Sequence, residues 1–230
     1  MSTRPKKSAP NLFAAAGLER EAPRPLADKL RPGELADVVG QDHLLGPDGI
    51  LTRMLETRSL GSLILWGPPG TGKTTVARLL ARTTELHFEQ ISAIFSGVAD
   101  LKQVFDVARA RRETGQGTLL FVDEIHRFNR AQQDSFLPVV EDGTIVLIGA
   151  TTENPSFELI APLLSRARVL VFKPLDAAAI EKLLERAEAI EDKKLPLEDE
   201  ARASLIRMAD GDGRAALTLA EEVWRAARAG

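Results

Sequence analysis

The sequence contains no cysteine, which excludes disulfides and thiolate metal sites and fits a reducing compartment. It holds no run of roughly 18 apolar residues, and no hydrophobic segment follows the opening Met1-Ser2-Thr3-Arg4-Pro5-Lys6-Lys7. Neither a membrane-spanning helix nor a secretory signal is expected, and the protein reads as cytoplasmic. Charge of one sign is also scarce: 30 basic side chains face 33 acidic ones, for a net charge of −3. Such a balance names no polyanionic partner, so any nucleic-acid site must be local. There is no internal repeat, and no low-complexity tract beyond an alanine-rich C-terminus. What is present, 230 residues with 44% hydrophobic and 27% charged side chains, is enough for one large core or two modest domains.

The chain is organised around Gly67-Pro68-Pro69-Gly70-Thr71-Gly72-Lys73-Thr74, which fits the phosphate-binding pattern G-x-x-x-x-G-K-[ST]. The apolar run Ser62-Leu63-Ile64-Leu65-Trp66 precedes it and Val76-Ala77-Arg78-Leu79-Leu80-Ala81 follows. This is the strand, loop and helix that the motif requires. Glycines let the backbone turn tightly and bring N–H groups against phosphate oxygens, and the helix beginning near Gly72 adds its positive end. In that pattern Lys73 reaches the β- and γ-phosphates and the Thr74 hydroxyl ligates Mg²⁺. Pro68, Pro69, Thr71 and Thr75 complete the loop and the first helical turn as contacts to ATP.

Residues 1–25 hold four prolines (Pro5, Pro10, Pro23, Pro25) and one apolar island, Leu12-Phe13-Ala14-Ala15-Ala16. They read as a flexible arm, and the island as either disordered or a docking point. Seven basic against three acidic residues between Met1 and Arg31 make this region locally cationic, by solvated charge or by phosphate contact. Helical periodicity follows near 49–58. Strands are predicted near 62–66, 87–91, 118–122, 144–149 and 168–172, and helices near 72–83, 99–113, 130–140 and 157–163. Runs such as Thr118-Leu119-Leu120-Phe121-Val122 and Ile145-Val146-Leu147-Ile148 suit strands covered on both faces of a parallel sheet. The expected class is therefore α/β with helices on either side. After Pro174 the strands stop, and helices are predicted near 176–190, 198–209 and 213–228. The change places a boundary near residue 174, between a core over 26–174 and a helical lid over 175–230.

Leu119-Leu120-Phe121-Val122-Asp123-Glu124 is an apolar strand ending in two carboxylates, the form of a Walker B element. Asp123 would hold Mg²⁺ through its water shell, and Glu124 would act as general base on the attacking water. His126 follows closely and reads as a structural residue or as a relay to nearby groups.

With these pieces assembled, the chain resembles AAA+ ATPases, and more closely the replication-associated recombination protein A (RarA/MgsA) family, relatives of clamp loaders. The resemblance covers about residues 26–228 and is most specific in Trp66–Thr75, Phe121–Asn129, Gln132–Pro138 and Ile148–Phe157. It implies an AAA+ P-loop core followed by a small helical lid. It implies that Asn154 is a sensor for the γ-phosphate or attacking water, and that Arg166 of Leu164-Ser165-Arg166 enters a neighbouring subunit's site. Arg168, two residues on, is the rival for that role. The resemblance also implies that Arg214 of Gly211-Asp212-Gly213-Arg214 reaches the phosphates from the lid. Val38-Val39-Gly40-Gln41 is similar to the segment that packs on adenine, Val39 included, or is an ordinary turn. Members of the family continue past the lid into a helical oligomerisation region that this sequence does not include, so weak self-association is expected.

The expected function is ATP hydrolysis coupled to DNA at stalled replication forks, in recombination and repair. Expected partners are forked, gapped or single-stranded DNA ends, further copies of the chain, and replication proteins such as single-strand-binding protein. These partners, and a nucleoid-associated place in the cytoplasm, rest on the resemblance alone. The alternatives are a clamp-loader or Holliday-junction-motor-like subunit, a nucleotide-switched scaffold without turnover, and a small-molecule P-loop kinase.

Overall fold

The structure, a computed structural model, describes residues 25–229. The N-terminal arm and its apolar island lie outside the described residues, apart from Pro25.

Five strands form: β1 (Leu63–Trp66), β2 (His87–Ser92), β3 (Thr118–Asp123), β4 (Ile145–Thr151) and β5 (Arg168–Val171). All pairings are parallel, in the order β2-β3-β4-β1-β5. The strand that feeds the phosphate loop therefore lies inside the sheet, with Leu65 in register with Ala150 on one side and Leu170 on the other. Because successive side chains alternate between faces, β1 divides its residues between two cores. Ile64 joins Leu120, Val122 and Leu147 on one face, while Leu63 and Leu65 join Leu119, Phe121 and Ile148 on the other. Leu63, Ile64 and Leu65 are fully buried, as expected of strands covered on both faces.

The helices are α1 (Leu26–Lys29), α2 (Asp42–Leu45), α3 (Ile50–Glu56), α4 (Lys73–Thr83), α5 (Val98–Glu113), α6 (Arg130–Asp134), α7 (Phe136–Glu141), α8 (Pro155–Glu158), α9 (Ala161–Leu164), α10 (Ala177–Glu191), α11 (Asp199–Ala209) and α12 (Gly213–Ala229). One face of the sheet is covered by α5, α7 and α9, the other by α2, α3 and α4. The three C-terminal helices build a third core of Ile180, Leu184, Leu205, Ala216, Leu217 and Trp224, and Leu26 of α1 is buried in it. The Leu26 amide donates to Glu221 Oε1 at 2.7 Å.

Two predicted helices are broken in the structure, and proline explains both. The stretch near 130–140 divides at Ser135 into α6 and α7. Pro138 has no N–H to offer the preceding turn, and a new helix start places it where no N–H partner is needed. The stretch near 157–163 divides at Leu159 and Ile160, both extended, because Pro162 is tolerated only in the first turn of α9.

Candidate nucleotide site

The loop Gly67–Gly72 leaves the C-terminal end of β1 and turns into α4. Gly70 and Gly72 both lie in the left-handed region, at φ +65° and +94°, where a side chain is costly. Lys73 opens α4 and is 9% exposed. Its ammonium donates to the carbonyls of Gly67 at 2.7 Å and Pro68 at 2.6 Å, and Thr71 Oγ1 donates to Pro68 at 2.9 Å. Burial pushes the Lys73 ammonium below its usual range, against the opposing pull of Glu124, Asp123 and Asp212. Gly67 and Pro68 thus sit behind the loop as acceptors for the lysine, while Pro69 to Thr75 line the cavity.

Asp123 is the last residue of β3, and Glu124 follows it in a left-handed conformation, φ 55° and ψ 43°. A 3-10 turn over Ile125–Arg127 begins there, with the Arg127 amide bonded to the Glu124 carbonyl at 2.8 Å. Ile125 is fully buried and fills the space beside Gly149 of β4, which anchors the turn. Lys73, Thr74, Asp123, Glu124, Val39 and Arg214 all line one cavity of about 460 Å³, a size suited to a nucleotide. Its wall is completed by α1 and the following residues to Pro32, and by Leu183 and Leu217 of the C-terminal helices.

No cluster of three or more histidine, cysteine or carboxylate side chains able to hold a metal exists among the described residues. Of the hydroxyls and carboxylates that line the cavity, Thr74 and Asp123 are the pair that the two motifs assign to a metal. That pair is too small to be a protein cage. It fits Mg²⁺, which keeps several waters and takes its remaining oxygens from phosphate.

The N-terminus of α12 closes against the loop. The Gly213 amide donates to the Gly70 carbonyl at 3.2 Å. Asp212 Oδ1 accepts from the amides of Arg214 and Ala215 at 2.8 and 2.9 Å, capping the helix. Arg214 is exposed beside the cavity.

Besides Gly67 and Pro68, the expected residues Asn154 and Arg166 are not in the cavity wall. Asn154 Oδ1 accepts from the Ser156 amide at 3.0 Å and caps α8. It lies in the turn that leaves β4, next to Thr152, which does line the cavity. Arg166 is exposed and tied to Glu141, with Nε to Oε1 at 2.6 Å, and to the Pro162 carbonyl at 2.7 Å. Arg168 is exposed at the start of β5, the edge strand.

Sequence reasoning gave Gln41 no separate role. It is fully buried, donates to the Lys173 carbonyl at 2.8 Å and the Thr71 carbonyl at 3.4 Å, and accepts from the Lys173 amide at 3.1 Å. It thereby joins the phosphate loop to the exit from β5. Its position in Val38–Gln41 was a signal, but its partners lie 30 and 132 residues away, beyond local pattern. Leu183 and Leu217 gave no signal, since they look like any helix core residue.

Among the described residues, no helix is long and apolar enough to cross a membrane. Residues 63–175 match the family model "ATPase family associated with various cellular activities (AAA)". The chain is 50% identical over 205 residues to replication-associated recombination protein A of Escherichia coli K12, covering 86% of this chain and 45% of that protein. It is 52% identical over 202 residues to the protein of the same name from Coxiella burnetii, covering 86% and 46%. The chain thus spans a little under half the length of these curated relatives. In structure it is similar to the Thermotoga maritima RuvB Holliday junction branch migration motor, with a TM-score of 0.68 and 27% identity over 84% of this chain and 64% of that one. By sequence, sheet and loop geometry together, the chain belongs to the AAA+ ATPases, in the replication-associated recombination protein A family.

Proposed function

We propose that this chain binds ATP with Mg²⁺ in the cavity between the phosphate loop and α12, and hydrolyses it to ADP and phosphate. Residues 26–174 act as the ATPase core and 175–230 as its lid. The observation that carries the reading is the meeting of Lys73 and Thr74, from the start of α4, with Asp123 and Glu124, from the end of β3, on one cavity wall.

Lys73 exchanges the carbonyls of Gly67 and Pro68 for phosphate oxygens, which keeps its ammonium hydrogen-bonded throughout. The loop amides and the positive end of α4 share that load. Thr74 would ligate Mg²⁺ and Asp123 would hold it through its water shell, and when bound the metal would supply charge neutralisation for the transferred phosphoryl group. Glu124 accepts the proton of the attacking water, and its carboxylate enters the same cavity to do so. Asn154, whose carboxamide oxygen caps α8, offers its Nδ2 end to the water or γ-phosphate. Arg214 answers from the lid, and Val39 packs against the base. Arg166, exposed and paired with Glu141, serves another copy's site in this reading.

The chemical work is directed at DNA in replication-associated recombination and repair, at forked, gapped or single-stranded ends, by a homo-oligomer in the cytoplasm near the nucleoid. The names of the relatives support this, as does the structural likeness to a branch migration motor. The test is phosphate release from ATP and Mg²⁺ with no added acceptor, repeated with single-stranded, duplex and forked DNA. Turnover that Glu124→Gln abolishes while nucleotide binding persists, and that one of these DNA forms stimulates, is the expected result. Absence of release in the parent chain would overturn the hydrolytic reading.

A further inference from the structure

His126 belongs to a chain of side chains that runs from the general base to the far end of β4. Its ring is 7% exposed and stands between two partners. Nε2 lies 3.3 Å from Glu124 Oε2, and Nδ1 lies 2.9 Å from Thr151 Oγ1. Thr151 is fully buried at the end of β4. Its hydroxyl accepts from the Glu153 amide at 3.0 Å and also faces the Glu153 carbonyl at 3.2 Å. The 3-10 turn explains how His126 comes to stand there, since it folds the residue two places after Glu124 back beside it.

The chain has a direction. Nε2 and Glu124 Oε2 stand at ion-pair distance rather than in full hydrogen-bond geometry, and since an ionised carboxylate can only accept, it favours the neutral imidazole that carries its proton on Nε2. Nδ1 is then an acceptor, and the one proton of the Thr151 hydroxyl goes to it in preference to the longer contact with the Glu153 carbonyl. The histidine is thereby fixed at both ends. Glu124 sits in a left-handed conformation at the end of a strand and lines the cavity, and His126 is the side chain paired with its carboxylate.

We propose that His126 is a positioning residue. Anchored by Thr151 as the Nε2–H tautomer, it holds the Glu124 carboxylate in the orientation that accepts a proton, and it links that carboxylate to the Thr151–Asn154 turn. The inference rests on the hydrolytic reading of Glu124 and adds a residue to it.

The test uses the full chain and two independent readouts. In nucleotide-free protein at mildly alkaline pH, long-range proton–nitrogen spectra of the imidazoles report the tautomer directly. The chain has three histidines, and loss of one signal set in His126→Ala assigns the third. A proton on Nε2 and none on Nδ1, with the preference relaxed in Thr151→Val, is expected. A protonated Nδ1 in the parent would overturn the proposal.

In turnover, His126→Ala should lower kcat between about tenfold and a hundredfold, with nucleotide affinity unchanged, as for a misplaced base. His126→Gln places an amide donor as far out as Nε2 and should recover most of the rate. His126→Asn reaches only as far as Nδ1 and should remain as slow as the alanine variant. Equal rates for the three, or a fall in affinity that matches the fall in rate, would sink the proposal while leaving hydrolysis intact. Only a silent parent chain would implicate the hydrolytic reading itself.

Discussion

Replacing Gly70 by alanine tests whether the phosphate loop and the lid share one contact. At φ +65° an alanine costs about 1–2 kcal/mol from backbone sterics alone. The new Cβ would also overlap the Asp212 carboxylate. Asp212 can yield only by leaving the amides of Arg214 and Ala215, and losing an N-cap costs about 1 kcal/mol. The expected total is about 2–3 kcal/mol in urea unfolding, together with a loss of nucleotide affinity of about tenfold as the loop shifts. Asp212→Ala alone should cost about 1 kcal/mol through the cap. In the double variant the overlap is gone, so the two penalties should fall short of their sum by about 1 kcal/mol. Strict additivity would show that Gly70 and Asp212 do not meet, and that the lid does not rest on the loop.

Asn154→Ala should lower turnover more than nucleotide affinity, because a contact to the attacking water matters most in the transition state; equal losses in both would make Asn154 only the cap of α8. Mixing inactive Lys73→Ala chains with inactive Arg166→Ala chains should restore part of the ATPase activity, since the first can lend its arginine to the second's intact loop. No rescue at any concentration would remove Arg166 from a neighbour's site. In the C-terminal helices, burial would raise the Glu188 carboxyl, but hydrogen bonds from Lys194, the Leu195 amide and Arg202 prevail and hold it at about 2, against an ordinary 4.5. A folded pKa below the unfolded one means stability that is fully present above about pH 4.5 and lost as pH falls toward 2, on the order of 3 kcal/mol. Acid unfolding of Glu188→Gln, monitored at Trp224, should lose most of that slope; an unchanged slope would assign acid sensitivity elsewhere.

The strands β1, β3 and β4 were legible because each is an apolar run buried on both faces, a pattern that needs no knowledge of partners, whereas β2 and β5 at the two edges are largely half-buried or exposed. Lys73, Thr74, Asp123 and Glu124 were legible because their spacing is bound to the loop and strand that carry them. The breaks at Ser135 and Leu159 were missed because helical periodicity continues through them, and only Pro138 and Pro162 forbid the hydrogen bonds. Gln41 and the lid leucines were hidden for another reason. Their meaning comes from residues far along the chain, and no local pattern encodes a partner 132 positions away. His126 stood between these cases: its neighbours in sequence marked it, but Thr151, which fixes its ring, was visible only in the fold.

Leu26 has a consequence for the order in which the molecule is made. It leaves the ribosome among the first described residues, yet its burial site is formed by helices that include Leu217 and Trp224. Its backbone amide likewise waits for Glu221. During synthesis the sheet can pair as its strands emerge, but the wall contributed by α1 has nothing to rest on until α12 has been translated. The cavity is therefore completed by both ends of the described chain at once. A nascent chain carrying a finished phosphate loop would hold nucleotide poorly until then, which defers nucleotide binding until the lid exists.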